Sequence, residues 1–70
     1  MKLRAFGRNL EVLRSDDAWA VFDVGSEGKK RPATDIVLPP EISSEEVMTL
    51  IGDLLHEYAS DRYPEVVVLG

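Results

Sequence analysis

The segment Ser43 to Ser60 reads as one amphipathic helix, and its apolar stripe is too broad to be left in water. Val47, Ile51, Leu54 and Tyr58 recur at helical spacing, with Met48, Leu50 and Leu55 widening the stripe. Glu45, Thr49, Asp53, His56 and Ser60 fall on the opposite side. Ser43 is suited to be the N-cap, and Glu46, three residues on, can reach back to complete a capping box. Ile42 and Val47 can close a hydrophobic staple, while Glu45 and Glu46 favour the positive end of the helix dipole. Pro39 and Pro40 bar an earlier start. Pro64 disfavours helical angles at Tyr63, which predicts a stop near Ser60.

A sheet is the natural cover for such a stripe, and the remaining sequence supplies strands. Lys2 to Phe6 alternates, Leu10 to Arg14 follows a Gly7-Arg8-Asn9 turn, and Ala18 to Val24 follows Ser15-Asp16-Asp17. Gly25 to Pro32 reads as a polar loop and Thr34 to Leu38 as a fourth strand. Glu65 to Leu69 carries Val66-Val67-Val68-Leu69, which is apolar on both parities and reads as an interior strand. The expected fold is a single small α+β domain over residues 1–70 in the order β-β-β-β-α-β. It is a single-layer, mostly antiparallel sheet of four to five strands with one amphipathic helix on one face. If the strands flanking the helix are near neighbours, that crossover is parallel and right-handed.

The third strand can be assigned a parity. Burying Asp23 beneath the helix without a partner is costly, so Ala20, Phe22 and Val24 are expected against the helix, joined by Leu3, Ala5, Leu10, Val12, Ile36 and Leu38. Phe6, Leu13, Trp19, Val21 and Val37 then fall on the uncovered face, beside Lys2, Arg4, Glu11, Asp23 and Asp35. Leu13, Trp19, Val21 and Val37 are the candidate interface, for a homodimer or for another protein.

Charge narrows the partners. The net charge is −5. Residues 1–31 hold seven of the eight Lys and Arg against five acids, +2, and residues 32–70 hold one against eight, −7. An acidic chain argues against nucleic acid. No stretch approaches the roughly 18 apolar residues of a membrane span, and Met1 to Phe6 lacks the apolar run of a signal peptide. The absence of cysteine fits a reducing compartment, and the expected location is the cytoplasm.

No constellation of catalytic residues emerges, so no enzyme, cofactor or metal is expected. Gly25-Ser26-Glu27-Gly28-Lys29-Lys30 lacks the spacing of a phosphate loop. Lys29, Lys30 and Arg31 offer an anion contact in that loop, without the interleaved aromatics of a nucleic-acid site. Asp53, His56 and Glu57 do not converge as zinc ligands would, and His56 reads as an exposed side chain. Asp23 and Asp35 could approach as a carboxylate pair for acid–base work, unless Arg4 or Arg14 pairs with them.

The run Lys29-Lys30-Arg31-Pro32-Ala33, Asp35-Ile36-Val37-Leu38-Pro39 and then Leu54-Leu55-His56-Glu57-Tyr58-Ala59 resembles a family of short bacterial proteins of unknown function, over nearly the whole chain. That resemblance implies no activity, cofactor or partner. A more distant likeness, at the level of fold, is to HicB-like antitoxins. The leading expectation is therefore a non-catalytic interaction module. The alternative is an antitoxin-like regulatory or nucleic-acid-associated module using the basic strands and the loop at residues 29–31.

Overall fold

The computed structural model describes residues 1–70. Alternation governs the first hairpin. In β1 (Lys2–Ala5) the apolar Leu3 and Ala5 are buried and the cations Lys2 and Arg4 exposed. Phe6 and Gly7 form the two-residue turn into β2 (Arg8–Ser15), with φ of 52° and 85°. A two-residue turn with both φ values positive matches the twist of the strands it joins. Gly7 is needed twice over, because a Cβ there would lie 2.8 Å from the Tyr63 ring. Asp16, at φ 52°, helps turn the chain into β3 (Ala18–Val24).

The sheet is antiparallel throughout, in the order β4-β3-β2-β1-β5, with β4 at Lys30–Pro32 and β5 at Val66–Val68. Three-residue β4 replaces the expected strand at Thr34 to Leu38. The loop narrows to residues 25–29, closed by Gly25 N–H donating to Lys29 O at 2.8 Å, and Asp23 pairs across to Arg31. Residues 34–38 form no strand, yet they keep the inward–outward alternation, with Ile36 and Leu38 buried and Val37 78 % exposed. They belong to an irregular segment, residues 33–42, that lies on the same face as the helix. β5 is not interior either: it pairs with β1 and forms an edge. β4 and β5 run parallel at opposite edges, so the helix joins strands that are not neighbours.

Helix α1 (Ser44–Leu55) begins where the sequence places it. Ser43 Oγ accepts from Glu46 N–H, and Ser43 N–H donates to Glu46 Oε1 at 3.2 Å. It ends earlier than Ser60, tightening into a 3₁₀ turn at His56–Tyr58 before Ala59 becomes extended. The stripe is centred on Val47, Ile51 and Leu55, which are buried, while Leu54 and Tyr58 are exposed. α1 packs over β1 and β5, where a Cβ at Gly52 would lie 3.8 Å from a Val66 methyl, in ordinary contact.

The core joins Leu3, Ala5, Leu10, Val12 and Val21 of the sheet to Ala33, Ile36, Leu38, Val47, Ile51 and Leu55. The parity assigned to β3 is reversed. Leu10 faces Asp23, Val12 faces Val21 and Arg14 faces Trp19 across the β2–β3 ladder. Directly opposed residues share a face, so Trp19, Val21 and Asp23 lie on the covered side. Ala20, Phe22 and Val24 lie on the other.

Candidate interaction surface

Asp23 tolerates the covered side because Arg8 comes to meet it. Arg8 pairs with Ala5 in the first hairpin and so projects to the same face. Its Nε donates to Asp23 Oδ1 at 2.6 Å and its Nη1 to Asp35 Oδ2 at 2.8 Å, with Nη2 bonded to the second oxygen of each carboxylate. One planar guanidinium thus clamps the irregular segment to the sheet. Asp35 is held down at about 2, chiefly by its hydrogen bonds from Arg8. The Arg8 guanidinium is stabilised in return by Asp35 and then Asp23. The two aspartates do come together, but with a cation between them. The pairing cation is Arg8 and not Arg4 or Arg14.

Trp19 anchors the same segment at its other end. Its indole N–H donates to Ile42 O at 3.1 Å, the Arg14 guanidinium sits 5.0 Å from its ring centroid, and Arg14 Nη1 donates to Pro40 O at 2.7 Å. Trp19 and Val21 therefore hold the covering segment and do not line the free face. Val37 is exposed on the far side of that segment, away from both. Of the four candidate interface residues only Leu13, 41 % exposed, lies on the uncovered face.

No helix or strand lies over that face. Its register places Lys2, Glu11, Phe22 and Pro32 in one row across four strands, with Arg4 and Val67 in the next and Leu13 beside Ala20. Phe22, Val24 and Val67 are half-buried by their neighbours alone. In the middle, Glu11 is only 7 % exposed, and the Lys30 ammonium contacts its Oε1. Lys30 first, and more weakly Lys2, hold the Glu11 carboxyl below its ordinary range. At the margin, the Tyr63 ring lies between two cations, Arg4 at 6.0 Å and Arg62 at 5.4 Å from its centroid.

The three cations proposed as an anion contact separate. Lys30 is committed to Glu11, Lys29 lies 4.0 Å from Glu27 in the loop, and Arg31 sits opposite Asp23 on the covered side. The hollow beside Lys29 and Arg31 is also lined by Asp23 and Glu27, so its charge is mixed. His56 is exposed and meets Phe6 edge-on, with centroids 6.2 Å apart. No three His, Cys, Asp or Glu side chains are grouped to hold a metal ion. No helix is long and apolar enough to cross a membrane.

Arg8 and Tyr63 are not site candidates in the sequence, and Glu11 figures there only as a charge on the uncovered face, where it lies. Arg8 looked like a turn residue, though its place opposite an inward-facing Ala5 was the available signal. A family model for a domain of unknown function, DUF7661, matches residues 1–70. No curated protein and no solved structure matches the chain.

Proposed function

Because the chain belongs to the DUF7661 family along its whole length, a family without an assigned activity, we propose from its geometry that it is a non-catalytic, cytoplasmic interaction module that docks another protein through its sheet. One observation carries the reading: the α1 side is covered by helix and irregular segment together, while the other side has no cover and combines apolar with positive side chains. Leu13, Phe22 and Val24 supply apolar area, and across the rows of β1 to β4 Lys2, Arg4 and Lys30 outnumber one acid, Glu11. Such a surface suits an acidic, partly apolar segment of a partner, with charge steering the encounter and apolar contact holding it. The absence of cysteine supports placing the module in a reducing compartment.

A protein suits this face better than nucleic acid, because Glu11 neutralises its centre and the whole chain carries −5. Both features oppose a polyanion. A photo-crosslinking amino acid at Leu13, introduced in cells, tests this. Discrete protein adducts from position 13, and none from position 49 on the polar side of α1, are the expected result. Adducts to nucleic acid alone would favour the regulatory alternative. No adduct at position 13 would overturn the docking reading.

A further inference from the structure

The two edges of the sheet are built differently. The β4 edge is Lys30-Arg31-Pro32, with two charges and a residue that cannot donate to a ladder. These are standard devices for preventing strands from adding to an edge. The β5 edge is Val66-Val67-Val68, with no charge, no proline and no glycine. Its composition is that of a strand buried between two neighbours, and it has one. Val68 remains 50 % exposed.

Hydrogen bonding shows which backbone groups are free. Phe6 N–H donates to Glu65 O at 3.2 Å and Leu69 N–H to Lys2 O at 2.8 Å, so residues 65 and 69 turn their backbone toward β1. Val67, opposite Arg4, follows by alternation. Val66 and Val68 therefore aim their N–H and C=O groups out of the sheet.

We infer that β5 pairs antiparallel with β5 of a second copy of this chain, about a twofold axis through Val67. With the axis there, Val66 faces Val68 of the second copy and Val68 faces its Val66, and all four outward donors and acceptors per strand pair are matched. An axis at Val66 would set Val68 against Pro64, which has no N–H to give. The axis stands perpendicular to the sheet, so both helices lie on one side and the apolar rows run on. Leu3 and Val68 of one copy continue into Val66 and Ala5 of the other. Half-exposed Val68 then gains as its neighbour a valine already packed beneath α1. No charged side chain of β5 is carried into the contact. The two open faces become one continuous surface, and the pairing stands whether or not that surface takes a partner.

Sedimentation of the full chain from about 10 µM to about 1 mM reads the pairing, with hydrogen exchange at the Val66 and Val68 amides read at both ends of the range. Concentration-dependent dimer, with both amides protected only at high concentration, is the expected result. Val68→Pro removes an N–H that β1 does not use and should weaken dimerisation at least about tenfold. Val68→Lys, which leaves the backbone intact, should do the same if the proline variant fails to fold. Leu13→Glu on the open face should leave the dimer unchanged, which separates this pairing from docking on that face. A monomer throughout the range would overturn the inference. So would a dimer in which the two amides exchange freely or Val68→Lys has no effect.

Discussion

Arg8 holds two carboxylates at once, and its removal leaves them facing each other. Arg8→Ala should lower stability at neutral pH by about 1 kcal/mol, the scale of partly exposed, solvent-screened ion pairs, in a urea titration. The effect has a defined pH dependence. Asp35 has a folded-state value of about 2, below its ordinary 3.8, so its contribution is present above the ordinary value and is lost as pH falls toward 2. The gap between native chain and Arg8→Ala should therefore narrow between about pH 4 and pH 2, by the share that Asp35 carries. A gap that stayed constant across that range would mean Arg8 acts by packing alone. Gly7 is a second single-residue requirement. Its φ of 85° and the Tyr63 ring 2.8 Å from a would-be Cβ leave no room for a side chain. Gly7→Ala should cost about 1–2 kcal/mol from backbone strain alone, more with the contact, and a thermal melt would show it.

Helix α1 is fixed at its start and loosely ended. The capping box at Ser43 and Glu46 satisfies donors that the first turn cannot satisfy itself. Ser43→Ala should destabilise by about 1 kcal/mol, and an unchanged melting midpoint would count against the cap. At the other end there is no basic residue in the last turn of α1 and no glycine to reverse the chain. The backbone tightens instead through His56–Tyr58, and Ser60 begins a new turn in which its Oγ accepts from Tyr63 N–H at 3.1 Å. This turn carries Tyr63 to Gly7 and then leads into β5. The short hairpin turns, by contrast, draw locally on Gly7 and Asp16, which suit positive φ, while Phe6 takes φ 52° at a cost in backbone strain.

Across the whole molecule, one face of the sheet is sealed by two unlike pieces. α1 covers β1 and β5, and residues 33–42 complete the layer through Ala33, Ile36 and Leu38, held by Arg8 at one end and Trp19 at the other. If this segment is part of the core, its alternate residues should differ sharply in their tolerance. Ile36→Ala should cost about 2–5 kcal/mol, as for other large-to-small core changes. Val37→Ser, one residue away but 78 % exposed, should stay within about 0.5 kcal/mol. Equal effects in chemical denaturation would contradict a packed segment. The opposite face keeps its cations, while most of the acids of residues 32–70 lie on helix and loops. The molecule is thus polarised, with a mildly positive open face and an acidic outer layer.

Much of what depends on neighbours in sequence is legible in the sequence itself. The start of α1 follows from Ser43, Glu46 and the prolines before them. The antiparallel character follows from short turns between alternating segments, and Leu3, Ala5, Leu10, Val12, Ile36 and Leu38 are buried as their periodicity requires. What the pattern did not contain was which surface each alternation meets. Ile36 and Leu38 alternate with Val37 as they would in a strand, because a segment lying flat on a core also turns every second side chain inward. The parity of β3 turned on whether Asp23 had a partner. That partner, Arg8, is fifteen residues away and reaches it only once β2 and β3 are in register. The valines of β5 announce a strand wanting apolar neighbours on both sides, but its place at the edge was set by pairing with β1 more than sixty residues earlier. Burial and ion pairing are properties of surfaces brought together by the folded chain, and local spacing carries no record of which surfaces those will be.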